Sequence, residues 1–370
     1  MDRKKRIVCT VTNDLNFDQR MIRICTSLTT AGYDVLLVGR KLPDSIPLAQ
    51  LTFQQKRFSC FFQRGKFFYL EYNLRLFLFL LFKRADLICA IDLDTLLAGF
   101  LASKISRKKL VYDAHEYYTE VPELVHRKRE QRIWEYLADA IIPRVTYAYT
   151  VCESLAEIFK KKYGTSFTVI RNLPFRSTTK VKEITPRNPA ILLYQGALND
   201  GRGIAEILRV LPTLENVILR LAGEGDLSTE LRALTRSLKI EDRVEFLGRV
   251  RPEDLKRLTP EVTIGLNLLE NKGLNYYYSL ANKAFDYIQA ELPAIHMNFP
   301  EYQKINAEYE VAILVDDLSE EALCAAIQKL LQDVNLYQTL KTNCQKAKIE
   351  YTWEKEARRL VAFYQNVFAD

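Results

Sequence analysis

Short runs of aliphatic and aromatic residues alternate with amphipathic stretches along the whole chain. In the first half these runs are RIVCTV (6–11), YDVLLVG (33–39), DLICAI (86–91), KLVYD (109–113), YAYTVC (147–152) and FTVI (167–170). They are short and almost continuously apolar, which predicts strands covered on both faces. Between the first two, DQRMIRICTSLTTAG (18–32) keeps Met21, Ile22, Cys25 and Leu28 on one side of a helix, with Gly32 as its C-cap. The rhythm restarts with AILLYQG (190–196), NVILRLAGEG (216–225), RVEFLG (243–248), VTIGLN (262–267), PAIHM (293–297) and VAILV (311–315). Strands alternating with helices predict α/β domains with parallel sheets and helices on both faces. The intervening LPFRSTTKVKEITPRN (173–188) is polar and carries proline, so it reads as a linker.

The expected organisation is two Rossmann-like, doubly wound domains, residues 1–172 and 189–350. A C-terminal helix, 351–370, is expected to pack back on the first. The length of 370 residues fits two domains at roughly 150 residues each. Two such domains predict a ligand cleft between the C-terminal edges of their sheets.

Several segments carry candidate chemistry. In SLANKAFDYIQAELPAI (279–295) a helical period puts Ala281, Ala284, Phe285 and Ile288 on one side and Ser279, Asn282 and Asp286 on another. Ser and Asn near a helix start read either as caps, stabilising by about 1 kcal/mol, or as part of a ligand site. The strand AILLYQG runs into ALNDGRG and the helical GIAEILRVL, an arrangement that offers backbone amides to an anion. Arg202, between Gly201 and Gly203, either adds a bidentate phosphate contact or is a solvated side chain of an ordinary turn. A second glycine turn, GEG (223–225), also follows a strand. Neither turn is GxGxxG or GxxxxGK[ST], which argues against a nicotinamide dehydrogenase and a P-loop ATPase.

Asp92 and Asp94 in AIDLDTL form a DxD pair, read here as strand-end and capping residues ahead of a metal site. Of the three histidines, His126 sits among charges and is expected to be solvated, and His296 lies in a buried strand. His115 follows a strand in VYDAHEYY, where α/β domains display catalytic groups, and a neighbouring carboxylate is expected to fix its tautomer and raise its pKa.

Composition narrows the class. The hydrophobic fraction of 48% with 27% charged residues is that of a soluble globular protein. The seven dispersed cysteines form no CxxC pair, which predicts reduced thiols and a cytoplasmic location. MDRKKRIVCTV shows no cleavage region. The longest apolar run, LFLFLLF (76–82), is far short of the ~20 residues that span a bilayer. The net charge of +7 is concentrated early: residues 1–175 hold 28 Lys and Arg against 18 Asp and Glu. That asymmetry favours an anionic partner. Within it, FSCFFQRGKFFYLEYNLRLFLFLLFKR (58–84) interleaves aromatics with cations, suiting either an anionic membrane surface or a core helix. No nucleic-acid motif accompanies it, so nucleic acid is not expected as a partner.

Taken in order, NFDQRMIRICTSLTTAGYDV, DLDTLLAG, LVYDAHEYYTEVPEL, YTVCESLAEIF, VIRNLP, LLYQGALNDGRGI, LRLAGEG, RVEFLGRV, SLANKAFDYIQAELPAI and YTWEKEARRLVAFY resemble a family 4 (group 1) glycosyltransferase of the GT-B fold. The likeness runs from about Arg6 to the C-terminus and is closest to the subgroup with an N-K-x-x-E-Y donor helix. It implies a retaining transfer from a nucleotide-diphosphate sugar to a glycan or lipid-linked acceptor, with no obligatory metal or other cofactor. The first domain would take the acceptor and the second the donor. Carried onto this chain, Arg202, Lys283 and the start of the 279–290 helix would neutralise the diphosphate. Gly196, Gly203, Gly223, Gly225, Ser279, Leu280 and Asn282 would line the donor pocket, Asp286 would grip the ribose, and His115 would position the reacting hydroxyl. A cytoplasmic enzyme of surface polysaccharide or glycolipid synthesis, peripheral on the membrane, is the reading this supports.

The chain departs from the family pattern at four places. Ala197 stands where an arginine often follows the strand-ending glycine, and Tyr278 and Asp286 occupy the positions of the paired glutamates. Glu291 replaces the usual glycine before Leu-Pro, and a left-handed backbone there would cost on the order of 1 kcal/mol. The departures at Ala197, Tyr278 and Asp286 keep open a scaffold protein that has lost turnover, and the shared fold keeps open a nucleotide-sugar epimerase, which would not need the basic first half.

Overall fold

The computed structural model describes residues 3–16, 18–178 and 189–370, so residues 179–188 of the expected linker lie outside the described residues. The chain divides into two compact units: Met1–Asn172 together with Lys355–Asp370, and Leu173–Glu354.

The first unit is built on a parallel sheet of β1 (Arg6–Thr10), β2 (Asp34–Lys41), β3 (Gln54–Ser59), β4 (Leu87–Ile91), β5 (Lys109–Ala114), β6 (Tyr147–Thr150) and β7 (Thr168–Val169), in the order β3-β2-β1-β4-β5-β6-β7. Ile7 of β1 lies between Val35 and Leu87, and all of LICAI in β4 is buried. The apolar runs of β1 and β4 are thus central strands, whereas FTVI supplies the short edge strand β7. The sequence reading missed β3. Its QQKRFS has no buried residue, because an edge strand has only one neighbour to pair with and little to bury.

Helices α1 (Gln19–Thr30), α2 (Gly65–Phe82) and α3 (Asp92–Ser106) connect these strands. In α1, Asp18 accepts from the Met21 amide at 3.0 Å, while Met21, Ile24, Cys25 and Leu28 are buried. The helix Trp353–Ala369 belongs mostly to this unit. It stacks Phe368 on Tyr33 at 5.4 Å and buries Leu360, Tyr364 and Val367.

The second unit has β8 (Ala190–Gln195), β9 (Val217–Ala222), β10 (Val244–Gly248), β11 (Ile264–Asn267), β12 (Ala294–Met297) and β13 (Ala312–Val315), all parallel, in the order β10-β9-β8-β11-β12-β13. Winding reverses between β8 and β11. In an open α/β sheet, loops diverge at such a point and leave a crevice beyond the strand ends.

The helix directly before β12 is shorter than the expected 279–290, spanning Asn282–Gln289. It ends at Glu291, which is held left-handed at φ 55°, with the Leu292 amide donating back to the Tyr287 carbonyl. The conformation belongs to glycine, yet the side chain is used. The Glu291 carboxylate pairs with Lys348 and accepts from Gln345 Nε2 at 2.8 Å, both on the helix Val334–Glu350, and little of the pair is exposed. The left-handed penalty of about 1 kcal/mol is therefore offset by a sheltered ion pair. Urea denaturation is expected to find Glu291→Gly within about 1 kcal/mol of the natural protein, because strain and ion pair disappear together. Glu291→Ala, which keeps the strain, is expected to cost about 1–2 kcal/mol more than Glu291→Gly.

Candidate active site

At the C-terminal end of β8 the chain turns at Gly196, whose amide donates to the Ala222 carbonyl at 3.0 Å. The two glycine turns are pressed together here. A methyl group on Gly223 would stand 1.8 Å from the Gly196 carbonyl oxygen, and one on Gly225 would stand 2.3 Å from Asn199 Oδ1. Gly203, left-handed at φ 66°, caps the helix Ile204–Val210. A methyl group there would meet Leu268, just beyond β11, at 2.6 Å. The glycines thus let three loops close over one sheet edge at the point where winding reverses.

Two cations point into this edge. Lys283, the second residue of the helix Asn282–Gln289, is buried with its Nζ 3.7 Å from the Tyr194 ring centroid. A methyl group on Gly196 would come within 3.5 Å of that nitrogen. The Arg202 guanidinium lies 4.8 Å from the Tyr276 ring centroid, and its Nε is buried. Neither Lys283 Nζ nor Arg202 Nε has a hydrogen-bond partner among the described residues. Lys272 differs: it is engaged by Asp200 at 2.9 Å and by Glu270 at 2.9 Å. Aromatic faces hold Lys283 and Arg202 by cation–π attraction and leave their donors uncommitted. Burial therefore drives the Lys283 pKa well below the ordinary lysine value. Repulsion from Arg202 adds to this, against a smaller opposing pull from Asp286.

Two further buried polar residues of this unit, Asn267 and His296, were not singled out for the site by the sequence reading. Asn267 of β11 lies beside His296 of β12 in register. Buried polar atoms of Asn267, Ser279 and His296 have no hydrogen-bond partner of normal geometry among the described residues. The His296 ring meets Tyr302 edge-on at 5.1 Å. Burial, and then Lys283, push its pKa down to about 3, so it is neutral at physiological pH.

Capping does not explain Ser279 and Asn282. Ala281 occupies the cap position without any side-chain bond, its amide donates to the Tyr302 hydroxyl at 3.0 Å, and Asn282 is the exposed first residue of the helix. Leu280 packs its side chain against the core. Asp286 is held by Gln195 Nε2 at 2.8 Å, and Gln195 Oε1 accepts from Thr259 at 3.1 Å, which fixes the carboxylate at the end of β8. The structure thus brings Gly196, Gly203, Gly223, Gly225, Arg202, Lys283 and Asp286 to one sheet edge.

His115 belongs to the first unit, in the loop after β5. The expected partnership with a carboxylate does not form, because Asp113 is buried and taken by Arg20 at 2.7 Å. Burial, then Arg20 and Arg23, lower the His115 pKa to about 3, the opposite of the expected direction. The residue is half-buried, and neutral imidazole is its form at physiological pH.

The loop is tied down by Asp92, whose Oδ1 accepts from the His115 amide at 2.9 Å and the Glu116 amide at 3.2 Å. Asp92 is left-handed at φ 55° and caps no helix with its side chain. Asp94 accepts from Thr12 at 2.5 Å, and burial raises its pKa to about 7. The DxD pair is therefore loop architecture. No group of three or more His, Cys, Asp or Glu among the described residues is arranged to hold a metal ion.

Two family models match this chain, one after the other. The model of glycosyltransferase family 4 covers residues 19–173, and the model of glycosyl transferases group 1 covers residues 175–347. The chain belongs to the group 1, family 4 glycosyltransferases. A curated relative, an uncharacterized glycosyltransferase of Methanocaldococcus jannaschii, is 24% identical over 181 residues, which is 47% of this chain and 44% of that protein. The match thus spans less than half the length of the relative.

Among solved structures, sucrose-phosphate synthase of Thermosynechococcus elongatus superposes at a TM-score of 0.80 with 17% identity, covering 99% of this chain and 100% of the other. HepE of Anabaena, solved with UDP and glucose, superposes at 0.74 with 14% identity, covering 97% and 99%. At these identities the likeness establishes the fold: two parallel-sheet, Rossmann-like domains of the GT-B class. Within this chain, the residues that escaped sequence reading are those whose signal is only spatial. Gln195 and Asn267 end buried strands, and Tyr194 and Tyr276 read as core aromatics. Nothing in their local text separates them from other strand-end and aromatic positions.

Proposed function

We propose that the protein transfers a sugar from a nucleotide-diphosphate sugar to a glycan or lipid-linked acceptor, with retention of anomeric configuration, in the synthesis of a surface polysaccharide or glycolipid. The observation that carries this reading is the pair of cations, buried Lys283 and half-buried Arg202, held on aromatic rings at the winding reversal of the second unit. A buried ammonium with no hydrogen-bond partner among the described residues is costly, and a diphosphate supplies the compensating charge. Fixed positive charge aimed at a departing diphosphate oxygen stabilises it as charge develops, without reorganisation at the moment of bond breaking.

Asp286, oriented by Gln195, would take the ribose hydroxyls. Asp is one methylene shorter than the family's glutamate, so the ribose must sit closer to the helix. In the first unit, His115 is neutral and would orient the reacting hydroxyl by hydrogen bonding. Having its pKa pushed down to about 3, it is a poor proton donor at neutral pH. The basic character of the first 175 residues suits an anionic acceptor at the cytoplasmic face of a membrane.

A panel of nucleotide sugars tests the reading, with thermal melts, product analysis by NMR and glycan and lipid-linked acceptors in the assay. One nucleoside diphosphate is expected to stabilise the protein by about 2.7 kcal/mol at a hundredfold excess over Kd. Transfer is expected to need acceptor, and His115→Ala to slow it by about 100-fold. Donor converted to its epimer without acceptor would identify an epimerase. A protein showing neither transfer nor donor conversion would be a scaffold, and the absence of stabilisation by any nucleoside diphosphate would overturn the donor site.

A further inference from the structure

Helix α2, GKFFYLEYNLRLFLFLLF, is apolar around its whole circumference, a pattern that belongs to helices buried on all sides. Here only one side is buried: Phe68, Tyr72, Leu76 and Leu80 enter the core with Ala98 and Ala102 of α3. On the opposite side Phe67, Leu70, Leu74, Leu78 and Phe82 stay exposed at 53%, 67%, 57%, 46% and 82%, a continuous stripe along the helix. On the adjoining α3, Leu101 and Ile105 are also exposed. An apolar stripe of this extent exceeds what a monomer ordinarily leaves in water.

The loop before α2 is built to hold aromatic rings outward. The Glu71 carboxylate accepts from the Phe61 amide at 3.0 Å and the Phe62 amide at 2.9 Å. The Phe62 ring packs on Phe67 at 5.4 Å, whereas Phe61 projects with 84% of its surface exposed. Backbone tethering with an unburied ring is the arrangement of an anchor. Cations surround the stripe: Arg64, Lys66, Arg75 and Arg84 on the helix and its ends, Lys104 on α3 and Arg107 just after it, all exposed. Glu71 is the only acidic residue between Phe61 and Ala85, and it is occupied by the two loop amides and by Arg75 at 2.8 Å.

We propose that this outer face of α2, with Phe61 and Phe62, seats the first unit on an anionic lipid surface. Apolar side chains would enter the acyl boundary while the collar of cations meets lipid phosphates. The helix lies in the surface and does not cross it. No helix among the described residues is long and apolar enough to cross a membrane. The inner side of α2 is also bonded into the fold, Tyr72 to the Val11 carbonyl and Asn73 to the Asp94 carbonyl at 2.9 Å. Charge selects lipid over a second copy of the chain, because a symmetric pairing of this face would bring two cationic collars together. The inference deepens the proposed function at its membrane side and rests on that reading for location only. Lipid binding is measured without donor or acceptor, so its failure leaves the donor chemistry standing, and the reverse holds too.

The full chain is to be floated with vesicles of phosphatidylcholine alone and with 30% phosphatidylglycerol, an illustrative composition of roughly one anionic lipid in three. The expected result is binding to the anionic vesicles, weakened by raised salt, from a protein that is monomeric by light scattering. Leu70→Gln with Leu74→Gln is expected to reduce binding at least about tenfold, with the melting temperature unchanged because both side chains are exposed. Arg64→Gln with Lys66→Gln, which leaves the stripe intact, is expected to reduce binding to anionic vesicles alone, by about fivefold or more. Absence of vesicle binding, binding that ignores both variants, or a dimer that the leucine variant dissolves would each overturn the proposal.

Discussion

Replacing Lys283 by methionine is expected to make the unliganded protein more stable while weakening nucleoside-diphosphate binding by about 100-fold or more. The two effects have opposite signs because one buried charge causes both. Without ligand, the ammonium sits against the Tyr194 ring, close to Gly196 and near Arg202, with no hydrogen bond among the described residues. Methionine fills similar space and carries no charge, so it removes a desolvation cost of about 1–2 kcal/mol. With a diphosphate bound, the same ammonium gains charge-assisted contacts that methionine cannot make.

The pH dependence follows from the depressed lysine pKa. Once the pH exceeds the ordinary lysine value, the side chain is neutral folded or unfolded and causes no penalty. As pH falls from that value towards the depressed folded one, only the unfolded chain holds the proton, so the stability gap between variant and natural protein widens and is complete once pH has passed the folded value. Ligand raises the Lys283 pKa. Each binding event between the free and bound values therefore takes up a proton, and affinity falls as pH rises across that window. Thermal melts with and without ligand, with calorimetry in buffers of different ionisation enthalpy, read all three outcomes. A methionine variant that is less stable and binds normally would remove Lys283 from the site.

Asp113→Ala is expected to cost the first unit about 3–5 kcal/mol, lowering its melting temperature by roughly 6–20 °C. The Arg20–Asp113 pair is buried at 4% and 0% exposure, and Arg20 Nε and Nη1 have no hydrogen-bond partner among the described residues. Asp113 is the principal compensation for a guanidinium deep in the sheet–helix interface, with the Tyr149 ring 6.0 Å away. Burial raises the Asp113 pKa and Arg20 pulls it back, while Arg20 is held as a cation by Asp113 against its own burial. Removing the carboxylate leaves a buried charge. Removing both partners does not, so Arg20→Met with Asp113→Leu is expected to be closer to the natural protein than either single change. A double variant as unstable as the sum of the singles would show that the pair is uncoupled.

The alternation of apolar runs disclosed the strands because a parallel strand buried on both faces leaves an uninterrupted apolar signature. β4 and β8 are buried throughout, and both were legible. β3 was not, because QQKRFS pairs only with β2 at the edge of the sheet. Glycine turns were legible as strand-to-helix junctions. That Gly223 stacks against the Gly196 backbone was not, since the two lie on different loops.

The candidate site divides in the same way. Arg202 could be named from the chain because a charge between glycines is a local signal, and Lys283 from the resemblance of its helix to the family's donor helix. The aromatic rings that hold them, Tyr194 and Tyr276, look like any core tyrosine in the text. The direction of the His115 shift was misread for a related reason. Asp113 is its neighbour in sequence, but in the fold the carboxylate faces Arg20 from α1, across the interior of the unit. Likewise Asp92, which resembles a helix cap beside Asp94, bonds the His115 loop more than twenty residues away.

By itself the sequence determined which segments are strands and helices, that there are two α/β units, and the family to which they belong. Those properties follow from periodicity and short-range order, which are written locally. Only the tertiary structure decided which charges are paired and which stand alone. Pairing depends on distances between side chains brought together by burial, and the energy of a charge is set by its neighbours in space.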